Sequence, residues 1–430
     1  MPVCAEKLHG PNWRRRDFFG AKAHFALMLR PTVTVAHLLP DHNPFPPVYP
    51  AGTELRVEQV ARRQRRYRPV VICRAFAEQV EGESFDAMQV RRVRIGRLYR
   101  RLFQKITRLD PFPYAQRMWR IARDEGAALV HIHNEPKLLA ALHEQIRRAA
   151  MPAVVHVANE KPLPRHALAA VRHWVACSHY MAQWLVNSNG IAAERVSVIY
   201  TGVDTARCRP HWELAPAQRS AMREKYGVDD PEAVVLLFAG RLVKEKGVQE
   251  LLDAYERLRA VRGDRVRLLV AGNVRDSDDP RNEKAVYGRA VAARMAAMPG
   301  VRWVGSLHPA QMHEFLLAGD VFVLPSLWDD PFPTVMLEAA AAGLPIVAAA
   351  RGGITEFLQE CAGFEFVADP ANPQELCQAV DAYVTDAQRR DDAGRWLQAK
   401  IERDFDWSRV CEEFENLYDR LLDRQARAAG

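Results

Sequence analysis

The sequence of 430 residues lacks long hydrophobic runs, because no apolar stretch reaches the roughly 18–20 residues that a bilayer-spanning helix needs. Residues 1–30 also lack the apolar core and small-residue cleavage site of a secretory signal. The seven cysteines are scattered without a C-x-x-C pair, which favours reduced thiols in a cytosolic protein. We therefore predict a cytoplasmic protein, with residues 1–30 as a flexible basic leader or an extended start upstream of Met28.

Several enzyme motifs are missing as well. The sequence has no H-E-x-x-H, no G-x-S-x-G and no P-loop. Readings as a metalloprotease, a serine hydrolase or an NTPase therefore have no support.

Positive charge is abundant, with a formal net charge of +7, but it is unevenly distributed. One cluster of arginines spans residues 62–68, and a second cluster of basic residues spans 91–108 with apolar residues between them. The second segment predicts a basic amphipathic helix, suited either to an anionic membrane surface or to packing on its own domain. Nucleic acid is disfavoured as a partner, because no DNA- or RNA-binding signature accompanies the charge.

Short β-branched runs alternate with helical patterns along the chain. The predicted strands are 32–37, 69–74, 128–132, 153–157, 174–177, 196–200, 234–239, 266–271, 301–304, 321–325, 346–350 and 364–368. This alternation predicts an α/β protein of two doubly wound, Rossmann-like domains that face a cleft. We expect an N-terminal domain at 31–210, a linker at 211–229, a C-terminal domain at 230–404 and a helix at 405–430. Ligands of such sheets bind outside the carboxyl ends of the strands.

Residues 330–356 (DPFPTVMLEAAAAGLPIVAAARGGITE) are the most informative part of the chain. They place Asp330 and Glu338 around a proline-broken loop that runs into a helix. The free N–H groups of a helix N-terminus bind anions, whereas a carboxylate one turn inside is suited to accepting hydrogen bonds from hydroxyls. A phosphate beside a polyol describes a nucleotide sugar.

A pair of cations precedes another predicted helix. The strand 234–239 ends at Gly240, and Arg241 and Lys246 follow, five positions apart. The planar guanidinium and the mobile ammonium together can clamp a diphosphate. The alternative is that both are surface cations on a βα loop, as we expect for Lys244 between them.

These motifs resemble the donor-binding half of the retaining GT-B glycosyltransferases of family GT4. The resemblance rests on GRLVKEKG (240–247) and on 330–356, and it extends to IYTGVD (199–204) and ACSHYMAQWL (176–185). It is nearest in character to bacterial enzymes of surface polysaccharide assembly and their spore-coat-like relatives. The resemblance implies a GT-B architecture, and it covers the chain from about residue 32 onward.

The resemblance also implies roles for single residues. Arg241 and Lys246 match the cations on the donor diphosphate, and Glu338 matches the acid that holds the ribose hydroxyls. Asp330, near the transferred sugar, stands where the family usually has Glu, so its side chain is shorter by one methylene. Pro333 stands in place of Gly and removes one N–H donor. The remaining donor-binding positions are Gly240, Gly305 at the nucleobase, Phe332, Thr334 and Val335.

The acceptor side matches the family less closely. Gly52 lies in AGTE, a reduced version of the family's Gly-Gly acceptor loop. Many members carry a catalytic His in a T-x-H pattern, whereas VVHVANE has Ala158 at that position and His156 two positions earlier. We expect His156 as a catalytic candidate and Gly52, His133 and Asn159 on the acceptor side. The alternative is that these histidines only pack.

The predicted function is a metal-independent, retaining hexosyltransferase that uses a UDP-sugar and no cofactor. Its expected partners are the nucleotide sugar, a glycan or lipid-linked acceptor and an anionic membrane surface at the inner face of the plasma membrane, without nucleic acid. Preorganised cations can stabilise the leaving diphosphate, so Arg241, Lys246 and Asp330 are the expected catalytic residues with His156.

Three other functions remain open from the sequence. A nucleotide-sugar epimerase shares the architecture and needs no acceptor. The departures at Asp330 and Pro333 also suit a catalytically idle nucleotide- or glycan-binding protein. The D-x-D at Asp276 and Asp278 would suit a metal-dependent GT-A transferase, or simply a solvated turn.

Overall fold

The structure is a computed structural model, and it describes residues 33–48, 51–76, 79–95, 114–274, 277, 279, 281–359 and 365–429. The expected leader at 1–30, residues 96–108 of the predicted amphipathic helix and the two acids of the D-x-D lie outside the described residues.

Two sheets form the core of the molecule. Among the described residues, the first has eight strands in the order β3-β4-β2-β1-β5-β6-β7-β8, and only β3 is antiparallel to its neighbour. The second, in the same described part of the chain, has six parallel strands in the order β11-β10-β9-β12-β13-β14. The strands are β1 Thr34–Leu38, β2 Arg68–Arg74, β3 Gly82–Phe85, β4 Met88–Val93, β5 Ala127–His133, β6 Ala153–Val157, β7 His173–Ala176, β8 Val196–Val198, β9 Val234–Ala239, β10 Val266–Ala271, β11 Val301–Gly305, β12 Val321–Leu324, β13 Ile346–Ala349 and β14 Glu365–Val367.

Helices connect the parallel strands. They are α1 Gly52–Arg63, α2 Tyr114–Asp124, α3 Pro136–Ala149, α4 His179–Asn189, α5 Pro216–Lys225, α6 Val248–Arg262, α7 Glu283–Ala297, α8 Pro309–Leu317, α9 Thr334–Ala341, α10 Ile354–Leu358, α11 Pro373–Thr385, α12 Ala387–Asp404 and α13 Trp407–Ala429. None of the helices in the described part of the chain combines the length and the apolar character that crossing a bilayer requires.

The sequence pattern explains this layering. Strands covered on both faces need nearly continuous apolar runs, and β9 (VVLLFA) and β10 (VRLLVA, apolar except for Arg267) have them. The stripe of α6 at Val248, Leu251, Leu252, Tyr255 and Leu258 is buried against this sheet. The predicted α/β class with two doubly wound sheets is confirmed.

The last helix, α13, crosses back to the first sheet. Its buried face, with Trp407, Phe414 and Tyr418, packs in one cluster with strand residues such as Val35 and Leu129. The two chain crossings between the domains are bonded to each other, because Val203 N–H donates to Phe405 O (2.8 Å) and Trp407 N–H donates to Val203 O (3.2 Å). The N-terminal domain is therefore completed by the end of the chain.

Polar contacts reinforce this return. The Glu415 carboxylate accepts the backbone N–H groups of Arg65 and Arg66, at 2.7 and 2.8 Å. Arg66 and Tyr67 both bind the Asp419 carboxylate. The first arginine cluster thus contributes to the attachment of α13.

The start of the second basic segment differs from the prediction. Arg91 and Arg92 lie in β4, not in an amphipathic helix. Val90 and Arg92 pair with Val71 and Cys73 of β2, and the Arg92 guanidinium is buried with Phe45 O among its acceptors, at 3.0 Å. The alternating burial of MQVRRV has the period of a strand, and this explains the error.

Candidate active site

The candidate site lies at the carboxyl ends of the second sheet. The loop after β9 and the loop after β12 contact each other there, since Leu327 N–H donates to Glu245 O at 3.0 Å. Gly247 precedes α6 with φ of +68°, and a Cβ at this position would lie 1.8 Å from Pro325 O. Only glycine fits this contact, which fixes Lys246 beside the loop after β12.

Lys246 and Asp330 form an ion pair within this contact. Their side chains are only 14% and 7% exposed, so the pair is held away from bulk solvent. The Lys246 ammonium also lies 5.8 Å from the centroid of the Trp328 ring. Gly353 N–H donates to Asp330 O at 2.8 Å and joins the loop to the turn after β13. The two predicted site residues therefore meet directly.

Arg241 is placed differently from Lys246. Its side chain is exposed, and it has no hydrogen bond or ion pair with the described residues. Gly240 N–H donates to Ala271 O at 3.0 Å, so the backbone of this loop is anchored on β10. The guanidinium is thus a cation on an anchored loop, accessible to an anionic ligand.

Glu338 lies one turn inside α9. Burial raises the pKa of its carboxyl to about 7. Although the residue keeps partial solvent access, no described residue donates a hydrogen bond to this carboxylate. Its charge, after the larger effect of burial, raises the pKa of the neighbouring Cys208 thiol. An acid without a partner at this position is suited to accepting hydrogen bonds from hydroxyls.

The loop that precedes α9 is largely buried. Pro333 is the N-cap residue, Thr334 is exposed and Val335 is half-buried. Phe332 is buried, with its ring centroid 4.9 Å from that of Tyr200 and 6.1 Å from that of Phe405. The side chain of Phe332 therefore packs between the domains.

Gly305 ends β11 at the other side of the sheet. Its φ is +78°, and its carbonyl accepts the Gly272 N–H at 2.8 Å. A Cβ at Gly305 would meet no atom within 4 Å, so open space adjoins its backbone.

Glu356 joins the two domains, and the sequence analysis did not identify it as a site residue. Its carboxylate accepts the backbone N–H groups of His179 (2.7 Å) and Tyr180 (2.6 Å) at the start of α4. It also accepts the Tyr200 hydroxyl at 3.0 Å. Its partners lie more than 150 positions away, so no local pattern could have revealed this contact.

The residues predicted for the acceptor side lie at the carboxyl ends of the first sheet. Gly52 is the exposed first residue of α1, which follows β1. Asn159 follows β6, and none of the described residues is a hydrogen-bond partner of its buried Oδ1 atom. Nearby, Asn134 Oδ1 accepts the Ala158 N–H at 3.2 Å.

The predicted histidines lie deeper in the same sheet. His156 is 1% exposed and His133 is 2% exposed. Burial lowers the pKa of both imidazoles well below the ordinary value. The structure groups them with His131, a neighbouring candidate in the same HIHNE segment, and with His37. Of these, only His37 was missed by the sequence analysis. No described contact links them to the Lys246–Asp330 pair.

Comparisons with known proteins cover both halves of the chain. The family model described as "Glycosyltransferase Family 4" matches residues 50–207, and "Glycosyl transferases group 1" matches residues 218–396. The lipopolysaccharide 1,2-N-acetylglucosaminetransferase of Salmonella typhimurium is 27% identical over 385 residues, which are 88% of this chain and 96% of the relative. Spore coat protein SA of Bacillus subtilis is 27% identical over 68% of this chain and 78% of its own length.

A solved structure shows the same fold. The crystal structure of Anabaena Alr3699/HepE in complex with UDP and glucose superposes with a TM-score of 0.69 at 21% identity, over 89% of this chain and 99% of that one. The paired sheets, the loops at their carboxyl ends and the two family matches lead to one conclusion. The chain belongs to the GT4-type glycosyltransferases of the GT-B fold.

Proposed function

We propose that this glycosyltransferase moves a sugar, with retention, from a UDP-sugar to a hydroxyl of a glycan or lipid-linked acceptor in surface polysaccharide or lipopolysaccharide assembly. One observation carries the proposal. The buried Lys246–Asp330 pair, the exposed Arg241 and the unpartnered Glu338 gather around the carboxyl ends of one sheet. The Salmonella relative, named as a lipopolysaccharide transferase, supports the acceptor class.

The proposed roles follow from the placement of these groups. Arg241 and Lys246 bind the donor diphosphate, and the Glu338 carboxylate accepts hydrogen bonds from the ribose hydroxyls. The loop from Phe332 to Val335 contacts sugar and phosphate, and the backbone of Gly305 contacts the base. Asp330, already bound to Lys246, stands near the transferred sugar and positions the ammonium.

The proposed transfer needs no covalent enzyme intermediate. The bond between the anomeric carbon and the β-phosphate oxygen breaks, while the acceptor oxygen bonds to the same carbon on the same face. Negative charge builds on the β-phosphate as this bond breaks and is stabilised by the two cations, and the departing phosphate then takes the proton of the acceptor hydroxyl. No resident cofactor or metal is part of this proposal.

Donor identity is tested first by thermal shift of the full chain against UDP-, GDP-, ADP- and dTDP-sugars. We expect the UDP-sugar to raise the melting temperature most, because tight binding stabilises the folded state by mass action. Transfer or donor hydrolysis is then measured with that sugar, and NMR of the product reports the anomeric configuration. Binding without any turnover would support an idle binding protein, and product from donor alone would support an epimerase.

The cation roles are tested by substitution. We expect Arg241→Ala and Lys246→Ala each to lower turnover by a factor of about 100 or more, as losing one oxyanion-type donor does. Lys244→Ala is the matched control, because this exposed lysine lies in the same loop. Unchanged turnover in the first two folded variants would contradict the assignment.

A further inference from the structure

A cluster of buried histidines lies outside the donor site. His37 of β1 is in register with His131 of β5, and His133 of β5 is in register with His156 of β6. Alternate residues of a strand share a face, so all four imidazoles lie on the same side of the first sheet. Their side chains are 0–2% exposed. The glycosyl transfer proposed above assigns no role to His37, His131 or His133.

Three of these rings converge. One ring nitrogen from each of His37, His131 and His133 lies within 4.8 Å of the other two. His37 Nδ1 is 3.0 Å from His133 Nε2. In a tetrahedral zinc site with Zn–N bonds of about 2.05 Å, ligand nitrogens lie about 3.3 Å apart. His37 Nδ1 and His133 Nε2 are therefore near the spacing of two ligands of one ion, whereas the His131 ring, with its centroid 3.9 Å from that of His133, has to tilt to join them.

Outer partners already orient two of the rings. Gln64 Oε1 lies 3.2 Å from His37 Nε2, and because a carboxamide oxygen only accepts, the ring donates there and keeps its lone pair on Nδ1. Tyr418 Oη lies 2.7 Å from His131 Nδ1, and His131 Nε2 is buried with no hydrogen-bond partner among the described residues. Metal-binding histidines commonly have such a partner on the far nitrogen.

The remaining nitrogens are unsatisfied. His131 Nε2, His133 Nδ1 and both nitrogens of His156 are buried and have no hydrogen-bond partner in the part of the chain that the structure describes. A buried polar group without a partner is costly, so several in one cluster point to a site that can bind a ligand. If the His133 proton moves to Nδ1, the lone pair of Nε2 becomes available beside His37.

Charge limits which ion fits. The Arg56 guanidinium carbon lies 5.2 Å from the centroid of the Phe414 ring, which is 5.4 Å from that of His131. This cation opposes a bare dication, and the three imidazole ligands bring no negative charge. An ion that carries hydroxide in its fourth position reduces this cost. Water bound to zinc ionises to hydroxide near neutral pH, and imidazole is one of the usual ligands of zinc.

We propose that His37, His131 and His133 bind one Zn²⁺, or a similar divalent transition metal, inside the N-terminal domain. The ion links β1 and β5 directly and reaches α1 through Gln64 and α13 through Tyr418. In this proposal the ion helps to hold the returning C-terminal helix on the first sheet, and it is separate from the transfer chemistry.

Metal content of the purified full chain, prepared without a histidine tag, tests the proposal. After dialysis against a weak chelator, we expect about one zinc per chain by elemental analysis, because a preformed site retains its ion. Substitution with Co²⁺ is expected to give the visible absorption of a tetrahedral nitrogen site.

Variants locate the ion. His37→Gln and His133→Gln are expected to lose it, whereas His143→Gln and His166→Gln are expected to keep it. The control pair also lies close, with ring centroids 4.8 Å apart, but it is only partly buried or exposed. Zinc that persists in the first two variants, or that is lost equally from the controls, overturns the site.

The proposal can be tested even if the histidine variants do not fold. If His37→Gln and His133→Gln fail to fold, the metal content and the cobalt spectrum of the unmodified protein test the proposal. Zinc is also expected to raise its melting temperature, and a strong chelator to lower it. Metal content well below one equivalent, together with no tetrahedral cobalt spectrum, overturns the proposal.

Discussion

Glu338 shows how one residue links burial to ligand binding. Its carboxyl has no donor among the described residues, and burial raises its pKa from 4.5 to about 7. The folded state therefore holds a proton that the unfolded state releases between these pH values. The contribution of this group to stability is full below pH 4.5 and is lost as the pH rises through 7.

Donor binding should depend on pH through the same carboxyl. Ribose hydroxyls are best bound by the ionised form, so we expect nucleotide-sugar affinity to rise between pH 6 and 8, with a loss of about tenfold at pH 6. Calorimetry with an intact nucleotide sugar measures this, because its diester phosphates do not titrate in that range. In Glu338→Gln the affinity should be lower and the pH dependence absent. The same pH slope in that variant would contradict the prediction.

For single residues, the sequence indicated which side chains belong to the candidate site better than it indicated which residues they contact. Arg241, Lys246, Asp330 and Glu338 stand in local motifs, and the structure brings Lys246 and Asp330 together. Their roles toward a donor stay predictions. Glu356 was not identified, because its contacts depend on how two separately folded domains meet.

Among the secondary-structure elements, α4 and α10 meet end to end through Glu356. One carboxylate serves two backbone N–H groups at the start of α4, where the helix dipole also favours negative charge. Hydrogen bonds to a charged group contribute about 1.5–3 kcal/mol each. This contact therefore stabilises the interface between the domains.

Glu356→Gln should weaken this contact, because the amide nitrogen cannot accept a hydrogen bond. We expect the amides of His179 and Tyr180 to exchange with solvent about 10- to 100-fold faster, as measured by hydrogen exchange. Glu375→Gln is the matched control, since Glu375 accepts the N–H groups of Ala368 and Asp369 within one domain. Equal exchange of the α4 amides in both variants would show that Glu356 does not protect them.

Strands and helices were predicted best where the apolar residues follow a clear pattern. Apolar runs of parallel strands, such as β9, β10 and β13, were located within a residue or two because both faces are buried. The β3–β4 hairpin was missed, since its arginines were assigned to a helical pattern. The Arg92 guanidinium donates hydrogen bonds to backbone carbonyls and to Glu83, and such contacts cannot be predicted from amino-acid composition.

For the whole molecule, the defining feature is the return of α13 to the first sheet. Phe414 is fully buried there, in a cluster with strand residues from across the N-terminal domain. The apolar spacing of this helix was visible in the sequence. The domain on which it packs was not, because an amphipathic pattern does not specify its partner.

Phe414→Ala should therefore destabilise the N-terminal domain, by about 3–5 kcal/mol. Hydrogen exchange is expected to accelerate across β1, β5 and α1, while β9 and β10 stay protected. Val261→Ala is the control, because this side chain is 74% exposed and its loss should change stability by less than about 0.5 kcal/mol. Faster exchange confined to β9 and β10 would contradict the prediction.

The paired crossings at Val203 and Phe405–Trp407 have a mechanical consequence. Two segments of backbone run side by side between the domains, and a Cβ at Gly202 would lie 2.8 Å from the Trp407 ring. Two backbone segments that are hydrogen-bonded side by side resist twisting and shear more than they resist bending. Opening of the cleft should therefore proceed as rotation about one axis near this point, with the mouth of the cleft moving most and the residues beside the crossings moving least.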